Sequence, residues 1–371
     1  MARADPLLRQ LKAARARDLP WGRILSSMCT PPHPVAVRAH SLFLATNLGD
    51  HALFPGTRRL EQEVLAAYAR LLGKPGAPGT FTTGGTESNL LAVAAMARRS
   101  EIRGGNVVLP ASAHLSFNKA ARLMGLELRR TRLDPRFRAD PAAMEAAVSD
   151  KTVGLVAVAG TTEFGAVDPV AEIGRVAREW NLPLHVDAAY GGLLLPFLDG
   201  RRPFDFRAPG VTSVGLDPHK FGMVPIQAGT LLFRDPADLR RIETPVDYLP
   251  TKSQATLVGT RGGGPAAAAW ALWSRLGPEG YRRVARRCLG TTRLLREGLE
   301  EAGTPPRVEP ELTIVVAAVP RLKRVVARLR KRGWSVSTLS KPPSLRLVVM
   351  PHVTDRVARE FLREYRRVLK E

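Results

Sequence analysis

Short apolar runs alternate with segments of helical periodicity along residues 59–233, and this alternation constrains the fold more than any other feature. The apolar runs predict strands buried on both faces, at 107–110, 126–133, 153–159, 184–186, 212–216 and 229–233. Helices are predicted at 7–16, 59–72 and 90–98, and Asp140 and Asp168, each followed by proline, are predicted helix N-caps. This pattern favours an α/β fold with a mostly parallel, doubly wound sheet.

The pattern changes after about residue 264. Two long helices are predicted at 265–276 and 278–302, and shorter elements follow to the end of the chain. These are strands at 313–319, 334–339 and 345–350 and helices at 321–332 and 354–370. We therefore predict an N-terminal segment 1–45, a large domain 46–264 and a small C-terminal α+β domain 265–371.

The charge is strongly positive but evenly spread. The 371 residues include 56 Lys and Arg against 34 Asp and Glu, a formal net charge of +22, and 46 of the basic residues are arginine. A basic chain of this kind suits nucleic acid when the charge is clustered. Because no nucleic-acid motif accompanies the arginines and aromatic residues make up only 6% of the chain, a solvated arginine-rich surface is the favoured interpretation.

Other classes are disfavoured by what the sequence lacks. Its two cysteines, Cys29 and Cys288, do not make a disulfide framework, and no Cys/His spacing indicates a metal site. The apolar runs fall well short of the roughly 20 residues that span a bilayer. No signal peptide is evident, so a cytoplasmic protein without membrane contact is expected.

One candidate site lies in TTGGTESN at 82–89, directly before an apolar helix. A Gly-Gly-Thr turn at a helix N-terminus offers backbone N–H groups to an anion, and the helix dipole favours phosphate there. The motif matches neither a P-loop nor the GxGxxG fingerprint. By itself it fits an ordinary capping turn or a phosphate site.

Two further motifs follow predicted strands. HVDAAYGG at 185–192 contains Asp187, and DPHKFG at 217–222 contains Lys220, 33 residues later. Ligands bind at the carboxyl ends of parallel strands. A buried Asp needs a cationic partner such as a protonated pyridine nitrogen, and a lysine that loses its proton can bond covalently to an aldehyde. A helix N-cap Asp and a surface Lys are the simpler alternatives, but the order of the three motifs favours a functional site.

That order resembles the group II decarboxylases, which use pyridoxal 5′-phosphate and have the aspartate-aminotransferase-like fold (fold type I). The resemblance covers nearly the whole chain through SMCTPPHPVA, NLGDHALFPGTRRLEQEV, TTGGTESNLLA, SAHLSFNKAARLMG, VAGTTEFGAVDPV, LHVDAAYGG, DPHKFG, QATLVGTRGG and LRLVVMPHVT. Within the family, FPGT, QATLVGTR and VVMPHVT resemble the archaeal L-tyrosine/L-aspartate decarboxylases. The resemblance implies a seven-stranded, mostly parallel sheet in the large domain. It also implies a homodimer with sites at the interface, to which segment 1–45 contributes.

The resemblance also implies roles for individual residues around the cofactor. Lys220 would hold the cofactor covalently and Asp187 would pair with its pyridine nitrogen. Ala189 and His114 would pack against the two ring faces. The remaining cofactor contacts implied are Gly85, Thr86 and His219 at the phosphate, Thr162 near the phenolic oxygen, and Thr260 reaching the phosphate from the neighbouring subunit.

Five residues are implicated in substrate binding or proton transfer. Arg346, inside an apolar strand, would bind the substrate carboxylate. Tyr248, in a polar loop, would protonate the product carbon, with His114 as the alternative donor. His33 and His51 would line the substrate entrance, although His51 stands where the family more usually has proline. GTRGGG likewise has Gly262-Gly263 where Ser-Gly is expected.

The resemblance implies α-decarboxylation of L-tyrosine to tyramine, of L-aspartate to β-alanine, or of both, with release of CO₂, in methanofuran or coenzyme A biosynthesis. A carbon–carbon lyase of the sphingosine-phosphate-lyase type and a glutamate decarboxylase share the cofactor motifs and remain alternatives. The missing membrane anchor disfavours the lyase. A basic nucleic-acid-associated protein is the non-enzymatic alternative, which the intact cofactor motifs disfavour.

Overall fold

The structure is a computed structural model that describes residues 5–200 and 202–371, so residues 1–4 of the predicted N-terminal segment lie outside it. The helices are α1 Pro6–Arg15, α2 Pro34–Leu42, α3 Pro55–Leu71, α4 Gly85–Ser100, α5 Ser116–Met124, α6 Pro141–Ala146, α7 Val170–Glu179, α8 Pro236–Arg240, α9 Gly264–Glu301, α10 Leu322–Lys331 and α11 Asp355–Lys370. The strands are β1 Gly79–Thr82, β2 Asn106–Pro110, β3 Glu127–Thr131, β4 Thr152–Val158, β5 Leu184–Asp187, β6 Val211–Leu216, β7 Gly229–Phe233, β8 Thr244–Pro245, β9 Ser253–Gln254, β10 Ile314–Ala317, β11 Ser337–Ser340 and β12 Pro343–Val348. Short 3₁₀ helices occur at Trp21–Arg23, Leu48–Leu53 and Leu195–Phe197.

The chain divides into two compact units. The larger comprises Cys29–Arg287 with Pro310–Leu312, and the smaller comprises residues 5–28, Cys288–Glu309 and Thr313–Glu371. The division therefore falls inside α9 and after residue 28, rather than at the predicted positions 264 and 45. The two helices predicted at 265–276 and 278–302 are the two halves of α9, which is interrupted at Gly277. Its φ of 57° suits glycine, and Pro278 follows directly.

The larger unit contains a seven-stranded sheet in the order β1-β7-β6-β5-β4-β2-β3. Strands β3, β2, β4, β5 and β6 run parallel to one another, whereas β7 is antiparallel to both β6 and β1. This confirms the predicted α/β fold with a mostly parallel sheet. Every residue of β4, β5 and β7 is buried, as expected for interior strands covered on both faces.

The prediction of strands buried on both faces was wrong for the 126–133 run. It forms β3, the edge strand, in which Glu127 and Arg130 are exposed. An edge strand has a neighbour on one side only, and charged side chains there discourage pairing with another chain. The other edge strand, β1, is four residues long and was missed because GTFT lacks an apolar run.

The N-cap prediction was right for Asp140 and wrong for Asp168. Asp140 accepts a hydrogen bond from Ala143 N (3.2 Å) at the start of α6. Asp168, which is buried, instead accepts from Ala139 N (2.8 Å) and Val158 N (2.7 Å), and Pro169 is the N-cap of α7. Asp168 therefore joins the end of β4 to a separate loop.

Helix α4 lies against the sheet through two sets of side chains. Leu90, Val93 and Met96 pack against apolar residues of β2 and β4. Leu91 and Ala95 belong to a second cluster that includes residues of β7. Anchored in this way across several strands, α4 has its N-terminus, and thus the TTGGT turn, held in a fixed position at the sheet edge.

The smaller unit contains a three-stranded antiparallel sheet, β10-β12-β11, and the helices α10 and α11. Helix α11 buries an apolar stripe at helical spacing: Val357, Ala358, Phe361, Leu362, Tyr365 and Val368. Phe361 packs edge-on against Trp334, with ring centroids 5.3 Å apart. Among the helices of the described residues, none is both long and apolar enough to cross a bilayer.

Candidate active site

Two buried carboxylates lie side by side at the carboxyl edge of the large sheet. Asp187 is the last residue of β5 and pairs in register with Gly215 of β6. Asp217 directly follows β6. The residues are 6% and 3% exposed, so both carboxylates need nearby positive charge or hydrogen-bond donors. This edge of a parallel sheet is where ligands bind.

Lys220 supplies positive charge to this edge. Its Nζ lies 3.1 Å from Asp217 Oδ2, and its side chain is 18% exposed. Burial acts to lower the pKa of Lys220, but the carboxylates of Asp217 and Asp187 outweigh it, so the pKa is raised above its ordinary value. In the cofactor-free chain the side chain of Lys220 is therefore an ammonium group. It must lose a proton before it can attack an aldehyde.

The TTGGT turn lies against the turn that carries Lys220. Gly84, with a φ of 145°, precedes the first helical residue, Gly85. A Cβ on Gly84 would lie 3.1 Å from His219 Cε1, and a Cβ on Gly85 would lie 3.0 Å from Ala189 Cβ and 3.1 Å from Asp217 Oδ2. The φ of Gly84 favours glycine, and a side chain at either position would be tightly packed, so the chain brings Gly85, Ala189 and His219 together here. The N-terminus of α4, with Thr86 next in sequence, thus presents its backbone N–H groups near Lys220.

Asp187 is held by two hydrogen bonds. Its Oδ2 accepts from Asn89 Nδ2 (2.8 Å) and its Oδ1 accepts from Ala189 N (3.1 Å). Asn89 lies on the buried face of α4, one turn after Gly85. The carboxylate therefore has a fixed orientation.

His114 is half-buried just after β2. Its Nδ1 lies 3.0 Å from Ser116 Oγ and accepts a hydrogen bond from Ser116 N (3.2 Å). Burial lowers its pKa; Asp187 acts in the opposite direction and Lys220 acts in the same direction as burial. These charges place His114 in the same electrostatic environment as the lysine and the carboxylate.

Glu87 connects the TTGGT turn to a loop distant in sequence. Its Oε2 accepts from Thr83 N (2.7 Å) and Thr83 Oγ1 (2.8 Å), and its Oε1 accepts from Leu257 N (2.9 Å). Thr260, three residues beyond Leu257, is exposed. Thr260 and Glu87 line a cavity of about 320 Å³ together with Thr83.

The structure does not place Tyr248 in the buried cluster. It lies between the short paired strands β8 and β9, and its side chain is 86% exposed. Thr162 lies in the turn that follows β4, at the same sheet edge as Asp187.

The two predicted entrance histidines have different surroundings. His33 caps α2, because its Nδ1 accepts from Val35 N (3.2 Å). Its backbone N donates to Met223 O (2.8 Å), three residues after Lys220, so this segment does lie beside the lysine turn. His51 lines a separate cavity of about 240 Å³ with Arg58.

Arg346 belongs to the smaller unit. It is 6% exposed in the central strand β12, where Nη1 donates to Ser337 Oγ (3.1 Å) and Ser26 O (3.4 Å). The sequence predicted an arginine inside this strand, and a buried guanidinium is costly unless its charge is compensated.

Three residues that the sequence analysis did not assign have direct contacts here: Asp217, Asn89 and Glu87. Each lies inside a quoted motif, Asp217 in DPHKFG and the other two in TTGGTESN. Helical spacing could have identified Asn89, since it lies one turn from Gly85 on the face that packs on the sheet.

The residues fit pyridoxal phosphate. A lysine, a carboxylate of fixed orientation and a helix N-terminus lie at the same edge of the sheet. Asp217 Oδ1 is buried without a hydrogen-bond partner, so this cluster has an acceptor available for a further donor. Over the described residues, no group of three His, Cys, Asp or Glu side chains could hold a metal ion.

The sequence profile of the pyridoxal-dependent decarboxylase conserved domain matches residues 41–316. The chain belongs to this family. The cofactor of this decarboxylase is therefore pyridoxal phosphate, and its reaction class is that of a carboxy-lyase.

Archaeal relatives match over nearly the full length. A probable L-tyrosine/L-aspartate decarboxylase of Methanothrix thermoacetophila is 49% identical over 97% of this chain and 94% of the relative. A probable L-aspartate decarboxylase of Archaeoglobus fulgidus is 41% identical over 98% of this chain and 99% of the relative.

Solved structures show the same fold. The sphingosine-1-phosphate lyase of Burkholderia pseudomallei has a TM-score of 0.90 at 29% identity, covering 100% of this chain and 92% of its own. The glutamate decarboxylase of Lactobacillus brevis has a TM-score of 0.91 at 22% identity, covering 100% of this chain and 93% of its own. These likenesses confirm the predicted fold type I.

Proposed function

We propose that this decarboxylase removes the α-carboxylate of L-tyrosine, of L-aspartate, or of both, forming tyramine or β-alanine and CO₂. The proposal is supported by the archaeal relatives, whose names carry these substrates at 41–49% identity. It is also supported by the ion pair of Lys220 with Asp217 beside the N-terminus of α4, the observation that best fits covalent cofactor binding. Methanofuran and coenzyme A biosynthesis are the pathways we propose.

The residues around the cofactor have separate roles in the proposed reaction. Bound pyridoxal phosphate supplies an electron sink for the carbon that loses CO₂. Lys220 holds the cofactor, and Asp187 keeps a proton on the ring nitrogen. His114 and Ala189 confine the ring between them. The remaining proposed contacts are Gly85, Thr86 and His219 at the phosphate and Thr162 at the phenolic oxygen.

The substrate side of the proposal rests on the family resemblance. Arg346 binds the substrate carboxylate as a bidentate partner. Tyr248 or His114 returns a proton to the α-carbon, and His33 and His51 line the entrance. Since Tyr248 is 86% exposed in the single chain, its participation requires the loop between β8 and β9 to be covered or to move.

We further propose a cytoplasmic homodimer in which Thr260 of one subunit contacts the phosphate bound by the other. Support comes from the exposed apolar side chains at the rim of this region, Leu44, Leu257 and Val258, which are 67%, 60% and 38% exposed. Leu44 and Val258 line the same cavity as Thr260. Apolar groups of this kind are typical of a covered surface.

The test is CO₂ release by the purified protein, supplied with pyridoxal phosphate, from L-tyrosine, L-aspartate and L-glutamate in parallel. We expect release from tyrosine or aspartate that exceeds release from glutamate. Cleavage of a phosphorylated long-chain amino alcohol, with no CO₂ released from the amino acids, would instead support a lyase and overturn the proposal.

A further inference from the structure

A continuous hydrogen-bonded network runs beneath the candidate site, centred on Asn89. Asn89 Nδ2 donates to Asp187 Oδ2 (2.8 Å) and to Ser116 Oγ (2.9 Å). Asn89 Oδ1 lies 3.0 Å from His185 Nε2, and His185 Nδ1 lies 2.9 Å from Ser213 Oγ. All five residues are at most 6% exposed, so water does not compete for these bonds.

The direction of each bond follows from the chemistry of the partners. A carboxylate only accepts, so the amide nitrogen of Asn89 faces Asp187 and its oxygen faces His185. That oxygen needs a donor, which places the proton of His185 on Nε2. Nδ1 of His185 then accepts from the Ser213 hydroxyl. Burial lowers the pKa of His185 to about 4, in agreement with a neutral ring.

The tautomer of His114 also follows from its hydrogen bonds. Ser116 N donates to His114 Nδ1 at 3.2 Å, so this nitrogen is an acceptor. The Ser116 hydroxyl, which accepts from Asn89 Nδ2, therefore donates its own proton to His114 Nδ1, 3.0 Å away. Since Nδ1 receives two donors, the ring proton of His114 lies on Nε2.

We propose that Asn89 is a positioning residue that fixes two cofactor-facing groups at once: the orientation of the Asp187 carboxylate and, through Ser116, the neutral Nε2–H tautomer of His114. A second proton on His114 would have to lie on Nδ1, opposite two donors. His114 therefore presents a neutral ring, and an imidazolium at this position does not supply the product's proton. The consequence for catalysis rests on the proposed function, whereas the tautomer of His114 is set by the hydrogen bonds of the chain and does not depend on that function.

The charged groups around His114 do not reverse this state. Burial has the largest effect and lowers its pKa. Asp187 and Asp217 raise it, whereas Lys220 and Lys119 lower it, and the net direction is downward. The network and the electrostatics thus favour the same neutral ring.

The test is nitrogen NMR of the full-length protein with ¹⁵N-labelled histidine, with and without pyridoxal phosphate. The chain has 7 histidines, and a His114→Asn sample assigns the signal of interest. In the wild type we expect His114 in the Nε2–H tautomer. In Asn89→Leu we expect a mixture of tautomers and a pKa of His114 moved upward. A wild-type His114 with its proton on Nδ1, or an unchanged signal in Asn89→Leu, would overturn the proposal.

Two serine variants keep the test decisive should Asn89→Leu fail to fold. Ser116→Ala removes one hydroxyl of the network and is expected to move the His114 signals in the same direction. Ser112→Ala is the matched control, because the hydroxyl of Ser112 is buried without a hydrogen-bond partner. Equal His114 signals in Ser116→Ala and Ser112→Ala would contradict the network. Absence of decarboxylation would overturn the proposed function while leaving these spectra unaffected.

Discussion

At the scale of single residues, the carboxylate of Asp217 governs the charge of Lys220. The Nζ–Oδ2 distance is 3.1 Å, and both groups are largely withdrawn from water. In a buried pair each charge depends on the other, since removal of one leaves the other uncompensated. Asp217 therefore stabilises the protonated form of Lys220 in the cofactor-free protein.

Asp217→Asn should lower the pKa of Lys220. The substitution removes the nearest negative charge, and burial, which acts to lower the pKa, is then opposed mainly by Asp187. The measurement is the pH dependence of chemical acylation of Lys220 in the cofactor-free protein, followed by peptide mass spectrometry. Asp235→Asn, at the N-cap of α8, is the control. The same acylation profile in both variants would show that Asp217 does not set the charge of the lysine.

At the scale of elements, side chains distant in sequence fix the loops at the sheet edge. Asp168 joins β4 to the loop before α6, and Glu87 joins the TTGGT turn to the loop after β9. Each carboxylate accepts from backbone N–H groups on both sides. An amide in its place has only one oxygen, so it would present a donor to a donor.

Asp168→Asn should destabilise the fold by about 2 kcal/mol, the order of cost for a buried unsatisfied donor. Asp140→Asn is the control, because asparagine caps a helix as well as aspartate. The readout is thermal unfolding of the two variants and the wild type.

The loss of stability caused by Asp168→Asn should also depend on pH. Burial raises the pKa of Asp168 to about 7, above its ordinary value, so the wild type has its extra stability at low pH and loses it as the pH rises through 7. The penalty of the variant should accordingly be largest near pH 4 and shrink toward pH 7. A penalty that grows over this interval would contradict a raised pKa.

Glu87→Gln should loosen the loop after β9. Thr83 N and Leu257 N donate to different oxygens of the Glu87 carboxylate, and the amide of glutamine has only one oxygen, so one of the two hydrogen bonds is lost. We expect faster tryptic cleavage at Lys252 or Arg261 than in the wild type. Glu179→Gln, on an exposed position of α7, should cleave at the wild-type rate. Equal rates in the two variants would mean that Glu87 does not hold this loop.

Much of the fold could be predicted from the sequence, because the interior strands are continuous apolar runs that alternate with segments of helical periodicity. β1 could not, since its pairing with β7 is decided by contacts distant in sequence. Asp168-Pro169 has the same local chemistry as Asp140-Pro141, and only the fold decides which aspartate caps a helix. In the site, Asp187 ends β5 and Lys220 follows β6 by four residues, whereas the role of Asn89 depends on the tertiary position of three partners.

At the scale of the whole molecule, the net charge of +22 is borne mostly by surface arginines. Several form exposed ion pairs, such as Arg296–Glu300 on α9 and Arg332–Glu364 between α10 and α11. Pairs of this kind add little stability each. A positive surface attracts anionic substrates and cofactors, so the rate of cofactor association should fall as salt is raised.

The proposed dimer predicts complementation between two inactive variants. Lys220→Ala removes the covalent anchor, and Thr260→Asp places a negative charge where the partner's phosphate is proposed to lie. In a refolded equal mixture, heterodimers contain one site with both native residues, so about a quarter of wild-type activity should return. The control is each variant refolded alone. No recovery, in a mixture shown to contain heterodimers, would place Lys220 and Thr260 in the same subunit's site.

Borohydride trapping of the bound cofactor shows whether Lys220 anchors pyridoxal phosphate for decarboxylation. The purified protein is incubated with pyridoxal phosphate, reduced and digested, and the modified peptide is identified by mass spectrometry alongside CO₂ release from L-tyrosine and L-aspartate. We expect a phosphopyridoxyl group on Lys220, and loss of both this adduct and CO₂ release in Lys220→Ala but not in Lys119→Ala. An adduct on another lysine, or undiminished CO₂ release by Lys220→Ala, would show that Lys220 is not the anchor.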